Sequence, residues 1–508
     1  MEPAEVWVPC DLQLANRTTE PVVYAPYLSV EYASTDIFGS CIQTSAPNSN
    51  GQIVEYAAAG PIGTIAEQEL VVESHNMDID DAERVFKGAV EDVAKDEEPK
   101  GMKMYKFPES IIRARGLRER RATVPMVVAI GPYHQHQANL KKAEKMKYAA
   151  ACHCIAHYSR QSGQTWAVQE MYDAVAEAAR GARKLYDQDV VAGISEDDFL
   201  PMMFYDACFL VQYMFVTYTK NIYRDMRPFC NFIDSNEADI FHDIMLLENQ
   251  LPWPVVDAVL KFMPKPTLRG FIKMKKGCLQ DRKENVGCFR WNGTSHNPPH
   301  LLGLLQYYIV GRSNPQKPRP ELKNSISLSV GAIELVEMGI SLKANKSTEV
   351  IHMGIKPRWI LLAELSLAPL SLDDVRANCV LNMAALELCR TPNFQGGGVR
   401  DEESAVCSYL LLLASLVNRA EDVQVLREKH ILQGGAGLTN KEVLNFFTSF
   451  RGLRLGTCYV RTMVEIERYK SNWIVTKGHA FIYNHWKLIM TVSGVISSIV
   501  TFVVKFKC

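Results

Sequence analysis

From Leu488 to Val504 the chain reads LIMTVSGVISSIVTFVV, seventeen residues without a charge, closed off by Lys487 on one side and by Lys505 and Lys507 on the other. At about 1.5 Å per residue a helix of this run covers about 25 Å, and with Trp486, Phe506 and snorkelling lysines it reaches the roughly 30 Å of a bilayer's hydrocarbon core. A helix apolar on every face must be covered by lipid or by protein, and at a chain end lipid is the simpler cover. Residues 486–506 are therefore expected to form one transmembrane helix. The alternative is a C-terminal helix buried in the folded body. Tyr483 and Trp486 stand where an interfacial aromatic belt would be, and Ser493, Gly494, Ser497, Ser498 and Thr501 offer small contacts to a neighbouring helix.

The opening residues, MEPAEVWVPCDLQLANRTTE, carry acids where a signal peptide needs bases and have no apolar run. The expected topology is thus a C-terminal single-pass anchor in the plasma membrane or an endomembrane, with the body in the cytosol. Lysines on both flanks leave the orientation undecided by charge. Sequons at Asn16, Asn292 and Asn345 would carry sugar only under the opposite topology.

Hydrophobic residues make up 47% and charged residues 22%, which is enough apolar matter for a sizeable core. Lys and Arg number 56 against 57 acids, so no excess positive charge is available for nucleic-acid phosphates. A local patch exists at Arg113–Arg121, where five arginines could meet an acidic partner or simply form a solvated helix face. The 13 cysteines run from Cys10 to Cys508 without a disulfide-scaffold spacing, which favours reduced, buried thiols.

Residues 1–104, with acidic clusters at Asp78–Glu83 and Glu91–Glu98, read as a variable, partly disordered leader. Residues 105–475 read as one helical body. Val124–Tyr133 should be a short strand or an extended entry to a turn. Helical spacing follows over 139–157, 161–186 and 197–218, and over 238–262 with an interruption at Leu251-Pro252-Trp253-Pro254. Residues 263–299 look like a surface insertion, and 314–320 like a proline-bearing loop. Helices are expected again over 301–310, 325–338, 372–387, 402–417 and 440–469, with short strands between 340 and 370. The fold class is mainly α, a large helical body with a small β element plus the C-terminal transmembrane helix.

No phosphate-loop, dinucleotide, nucleophile-elbow or zinc-protease motif occurs. Cys152, His153, Cys154 and His157 could share a helix face, but their spacing matches no zinc pattern, and a Cys–His nucleophilic pair would lack an identifiable orienting group. The block Asp243-Ile-Met-Leu-Leu-Glu248-Asn249-Gln250-Leu-Pro252 is more informative. Proline disfavours helix at Leu251, so a helix should stop there, and its freed carbonyls need donors that Asn249 and Gln250 can supply. Glu248, if buried, needs a cation or backbone N–H groups. Asp206 is a similar lone acid in an apolar helix. These residues read as a polar hub at a helix joint.

Taken together, IGPYH at Ile130–His134, Met202-Met203 with Asp206 and Cys208, DIMLLENQLPW at Asp243–Trp253, AIELVEMGI at Ala332–Ile340, NMAALELC at Asn382–Cys389 and the run from Ser408 to Leu432 with its AEDV at Ala420–Val423 resemble a plant family known as domain of unknown function 247. The order matches over about residues 105–508. Ala207 stands where the family usually has Gly, Gln212 where an acid is frequent, and Gln135-His136-Gln137 where a Gly-containing turn is usual. The resemblance implies a membrane-anchored helical body without established catalytic chemistry, and in grasses some members look like self-incompatibility determinants. It adds Glu421 and Asp422 to the structural motif. The expected role is a membrane-tethered interaction or cell-recognition module, not an enzyme, without cofactor or metal. Its expected partners are lipid and an unidentified protein, with oligomerisation open. The alternative is a membrane-bound hydrolase or transferase using Glu248 or a Cys–His pair.

Overall fold

The computed structural model describes residues 103–111, 120–163, 167–219, 226–264, 266–280, 297–313, 330–346, 348–359, 362–394, 396, 398–434, 437–450, 453–471, 485–486 and 490–499. Most of the leader lies outside these residues, as do 112–119, the side chains of Arg120 and Arg121, and most of the expected loops at 281–296 and 314–329. The architecture is mainly helical with two small sheets.

Its pole is α3 (Glu196–Thr219), preceded in sequence by α1 (Lys141–Ser162) and α2 (Ala167–Ala182). Acids at Glu196, Asp197 and Asp198 suit the positive end of the α3 dipole. Beyond the first turn α3 is apolar nearly all round, so packing must enclose it. It is long and apolar enough to cross a membrane, yet 83% of its most apolar stretch is buried inside the body. α1 and α2 pack on it, and so do α6 (Trp253–Leu260) and α7 (Pro266–Gln280).

That last contact corrects the expected surface insertion. Residues 266–280 form a core helix with Phe271 and Ile272 fully buried, and the Lys275 ammonium lies 4.1 Å from the Phe241 ring centre. Cation–π attraction and a Glu237 carboxylate make such a lysine tolerable in the interior, which is why its charge misleads in the sequence.

One further expectation needs correction, and another takes the second of its two expected forms. The helix starting near 238 does not run to Leu251: α4 (Arg227–Ser235) is followed by α5 (Glu237–Ile244), and residues 245–252 are a chain of turns before α6. Residues 124–133 form no strand and run through bends into a turn at 132–133, the entry to a turn that is the alternative expectation. Side chains satisfy the backbone in both places.

After α8 (Leu301–Val310) and α9 (Ala332–Glu337) comes a three-stranded sheet of β1 (Ile340–Ala344), β2 (Gly354–Trp359) and β3 (Leu362–Leu367) in the order β1-β3-β2. β3 is parallel to β1 and antiparallel to β2, and it turns Ala363, Leu365 and Leu367 inward at period two. The short β4 (Leu370–Ser371) and β5 (Leu432–Gln433) pair in parallel. Between them lie α10 (Asp374–Arg390), α11 (Ala405–Leu416) and α12 (Ala420–Glu428). The expected helix over 440–469 is two helices, α13 (Asn440–Thr448) and α14 (Thr457–Ser471), because Gly456 brings the chain against Ser404 and Ser408 more closely than a Cβ would allow. Finally α15 (Met490–Ile499) is exposed at every residue.

Candidate functional site

Residues 126–131 lie against α5 and the turns that follow it, and among the described residues their backbone hydrogen bonds go to side chains. Asp243 Oδ1 accepts the Met126 N–H at 2.8 Å, and its Oδ2 accepts those of Val127 and Val128 at 2.7 and 2.9 Å. Asn249 continues the ladder: Oδ1 accepts from Ile130 N–H at 2.7 Å, while Nδ2 donates to the carbonyls of Val128 and Asp243, each at 3.0 Å. Asp206 Oδ2 takes the next donor, Gly131 N–H, at 2.8 Å. A carboxylate, an amide and a second carboxylate thus stand in for a neighbouring strand.

The end of α5 is closed by the same group. Gln250 Nε2 donates to the carbonyls of Ile244 and Leu246, both at 2.7 Å, and Gln250 Oε1 accepts the Leu302 N–H at the start of α8, at 3.1 Å. Leu247 N–H reaches Asn382 Oδ1 on α10 at 2.8 Å. Helix α5 stops at Ile244, more than two turns before Pro252, because side chains supply the donors its last carbonyls need. Pro252 itself is the residue preceding α6. Lys147 Nζ sits 2.6 Å from Asp206 and 2.7 Å from Glu144. Burial works against that ammonium, but the two carboxylates outweigh it and hold its pKa above the ordinary lysine value.

Glu248 differs from its neighbours by standing at the rim, half-buried. Its Oε1 accepts the Phe107 N–H at 2.8 Å, and its Oε2 is 3.7 Å from His134 Nε2. Burial raises the Glu248 pKa and lowers that of His134. Asp422 serves a separate joint: Oδ1 accepts the Ile333 N–H of α9 at 3.0 Å and Oδ2 those of Asn418 and Arg419 at 3.2 Å. Glu421 beside it is exposed and makes no hydrogen bond or ion pair among the described residues. The structure therefore gathers Asp206, Asp243, Asn249 and Gln250, puts Glu248 and Pro252 at their edge, and leaves Glu421 and Asp422 apart.

The cysteine–histidine face disperses. Cys154 turns its thiol to the Cys208 carbonyl and Gln212 at 3.7 and 3.5 Å, whereas the His157 ring packs 5.9 Å from that of Phe215. Among the described residues no three His, Cys, Asp or Glu side chains are placed to hold a metal ion, and every cysteine is a free thiol. Burial pushes the Cys379 and Cys458 thiols up to about 12, far from nucleophilic use.

One feature escaped the sequence reading altogether. A cleft of about 590 Å³ opens between α8, α10 and the turn before α11, within the size range of small-ligand sites. At its base is Glu387, 3% exposed, which caps α11 from α10 by accepting the Val406 and Cys407 N–H groups at 2.8 Å each, with Gln306 Nε2 at 3.2 Å. Burial dominates these donors and raises its pKa to about 7. Glu387 carries the same signal as Asp206, a lone acid in an apolar helix, and could have been found by it. The arginines, tyrosines and other acids of the cleft come from separated stretches with no shared pattern.

The family model describing a plant protein of unknown function, DUF247, matches residues 104–500. A UPF0481 protein of Arabidopsis thaliana is 22% identical over 411 residues, covering 76% of this chain and 80% of that protein. No solved structure matches the chain. The matched span takes in the Asp206, Asp243 and Asp422 joints and the cleft alike, and with most of its length aligned the chain belongs to the DUF247 family of plant proteins of unknown function.

Proposed function

We propose that this chain is a membrane-tethered interaction protein, acting through a recognition surface on its helical body and not through catalysis. The observation that carries the tether is α15: Val492, Val495, Ile496 and Ile499 are each at least half exposed, an arrangement that costs free energy in water and none in lipid. The flanking lysines and Trp486 suit the ends of a span. The cell-recognition role implied by the family resemblance falls within this reading, with an unidentified protein as partner and the body on the cytosolic side. The polar hub supports the non-catalytic part, since Asp206, Asp243, Asn249 and Gln250 are occupied by backbone groups and hold three segments in register. The test is extraction of membranes with alkaline carbonate from cells expressing the full chain with a C-terminal reporter. The protein is expected in the pellet. Release into the soluble fraction overturns the tether.

A second reading, a membrane-bound hydrolase or transferase, is favoured by one pair alone: Glu248 and His134 stand 3.7 Å apart at the rim. A Gln at 248 keeps the acceptor for Phe107 N–H. Under this reading Glu248→Gln abolishes function with the melting temperature unchanged, and under the first it changes neither.

A further inference from the structure

The cleft between α8 and α10 is lined by arginines at 312, 390 and 400 and by glutamates at 387, 402 and 403. Most of that charge is already matched. Arg400 Nε pairs with Glu403 Oε1 at 3.2 Å, and Glu387 is enclosed by its three donors. The Arg312 guanidinium rests on the Tyr307 hydroxyl at 3.1 and 2.5 Å, in the electrostatic reach of Glu402.

Two groups of opposite sign are left over. Arg390 makes no hydrogen bond or ion pair among the described residues, and the Tyr105 hydroxyl beside it has no hydrogen-bond partner there either. Arg390 lies in the last turn of α10, where a cation suits the helix dipole, and that would explain its position without a ligand. It would not explain Glu402. There one oxygen, Oε1, accepts the N–H and O–H of Ser313 at 2.8 and 2.7 Å, while Oε2 is buried at the cleft wall without a hydrogen-bond partner, in the field of Arg400. A buried carboxylate oxygen without a donor is costly unless something else supplies one.

We propose that this cleft binds a small organic monocarboxylate that also carries a hydroxyl or N–H group, its carboxylate seated on Arg390 and Tyr105 and its donor on Glu402 Oε2. One free guanidinium offers the two parallel N–H groups that a carboxylate accepts. A phosphate dianion would bring a second negative charge, and no donor of its own, toward the unmatched Glu402 oxygen, and is disfavoured. The cleft lies on the folded body, so binding does not depend on whether the C-terminal run enters lipid.

The test uses the full chain in detergent micelles and a set of small aliphatic and aromatic carboxylic acids, each paired with its own primary amide. Binding is read by ligand-observed NMR and by the tryptophan-fluorescence melt. Acids, and not their amides, are expected to bind and to raise the melting temperature. Arg390→Gln weakens them by roughly tenfold to a hundredfold, the loss of a charged hydrogen-bonded contact, and Arg390→Lys gives an intermediate loss. Glu402→Gln selectively weakens the acids bearing a hydroxyl or N–H group. The proposal is overturned if no acid outperforms its amide, if acids bind Arg390→Gln as they bind the wild type, or if inorganic phosphate binds in their place.

Discussion

The Asp243 carboxylate accepts the backbone N–H of Val128 at 2.9 Å, so a side chain of α5 holds an extended segment that no strand accompanies. Asp243 Oδ1 is also 2.9 Å from His242 Nδ1, and both side chains are buried. Asp243→Asn would turn an amide NH₂ toward N–H donors and leave at least one of them unpaired. Such a change is expected to cost about 2–4 kcal/mol. Chemical denaturation of the full chain in micelles measures it, and a loss under about 1 kcal/mol would remove Asp243 from the joint.

Gly131 follows Ile130 in the ladder with φ +73, and a Cβ there would come within 3.0 Å of both the Gln250 carbonyl and the Tyr186 hydroxyl. Gly131→Ala combines the left-handed strain with that crowding and should lower stability by about 1–3 kcal/mol. Gly163 is the internal comparison: its φ is +66 but no atom lies within 4 Å of the added Cβ, so Gly163→Ala should cost only about 1 kcal/mol. Equal melting temperatures for the two variants would contradict the close approach at Gly131.

Gln250→Glu keeps size and removes the donations to the carbonyls of Ile244, Leu246 and Asn249, while burying a charge. The expected loss is about 3–5 kcal/mol, enough to lower the yield of folded protein. Proteolytic resistance of the full chain, compared with wild type, reads it directly.

Glu387 makes stability depend on pH. Its folded-state pKa, about 7, lies above the 4.5 of an unperturbed glutamate, so between these values the native chain keeps a proton that the unfolded chain has released. The contribution is therefore fully present below about pH 4.5 and is lost as pH rises through about 7, an amount on the order of 3 kcal/mol. Glu387→Gln lacks this term and also mispairs one of the two N–H groups of α11. The advantage of wild type over the variant should shrink between pH 5 and pH 8. A difference constant across that range would show that Glu387 is ionised throughout.

Asn345 is the one sequon asparagine among the described residues. Its Oδ1 accepts the Thr348 N–H at 2.9 Å and its Nδ2 donates to the His352 carbonyl at 3.2 Å, and the residue is buried. Any glycan found on this protein should therefore sit at Asn16 or Asn292, and Asn345→Gln should leave the glycosidase-shift pattern unchanged. A mobility shift abolished by that substitution would mean that the turn opens before the body folds.

Local chemistry determined a good deal. The 3.6-residue spacing of apolar side chains placed most of the helices, the segments between 340 and 370 favoured short strands where β1, β2 and β3 stand, and a charge-free terminal run marked itself as matter that protein or lipid must cover. Asn249 and Gln250 before Pro252 announced donors for a helix end, because proline's effect on its own backbone is a property of the chain alone. Which carbonyls they reach was decided by the tertiary structure: Ile244, Leu246 and Val128 become partners only when the 126–131 segment is laid beside α5, and those side-chain bonds end the helix earlier than the proline requires. The same holds for Lys275, a surface residue by composition that aromatic rings make internal, and for the cleft, where Tyr105 from the start of the body meets Arg390 and Glu402 from its later part. Periodicity is local and survives in the sequence, but convergence of distant groups depends on how helices pack, and no spacing along the chain encodes it.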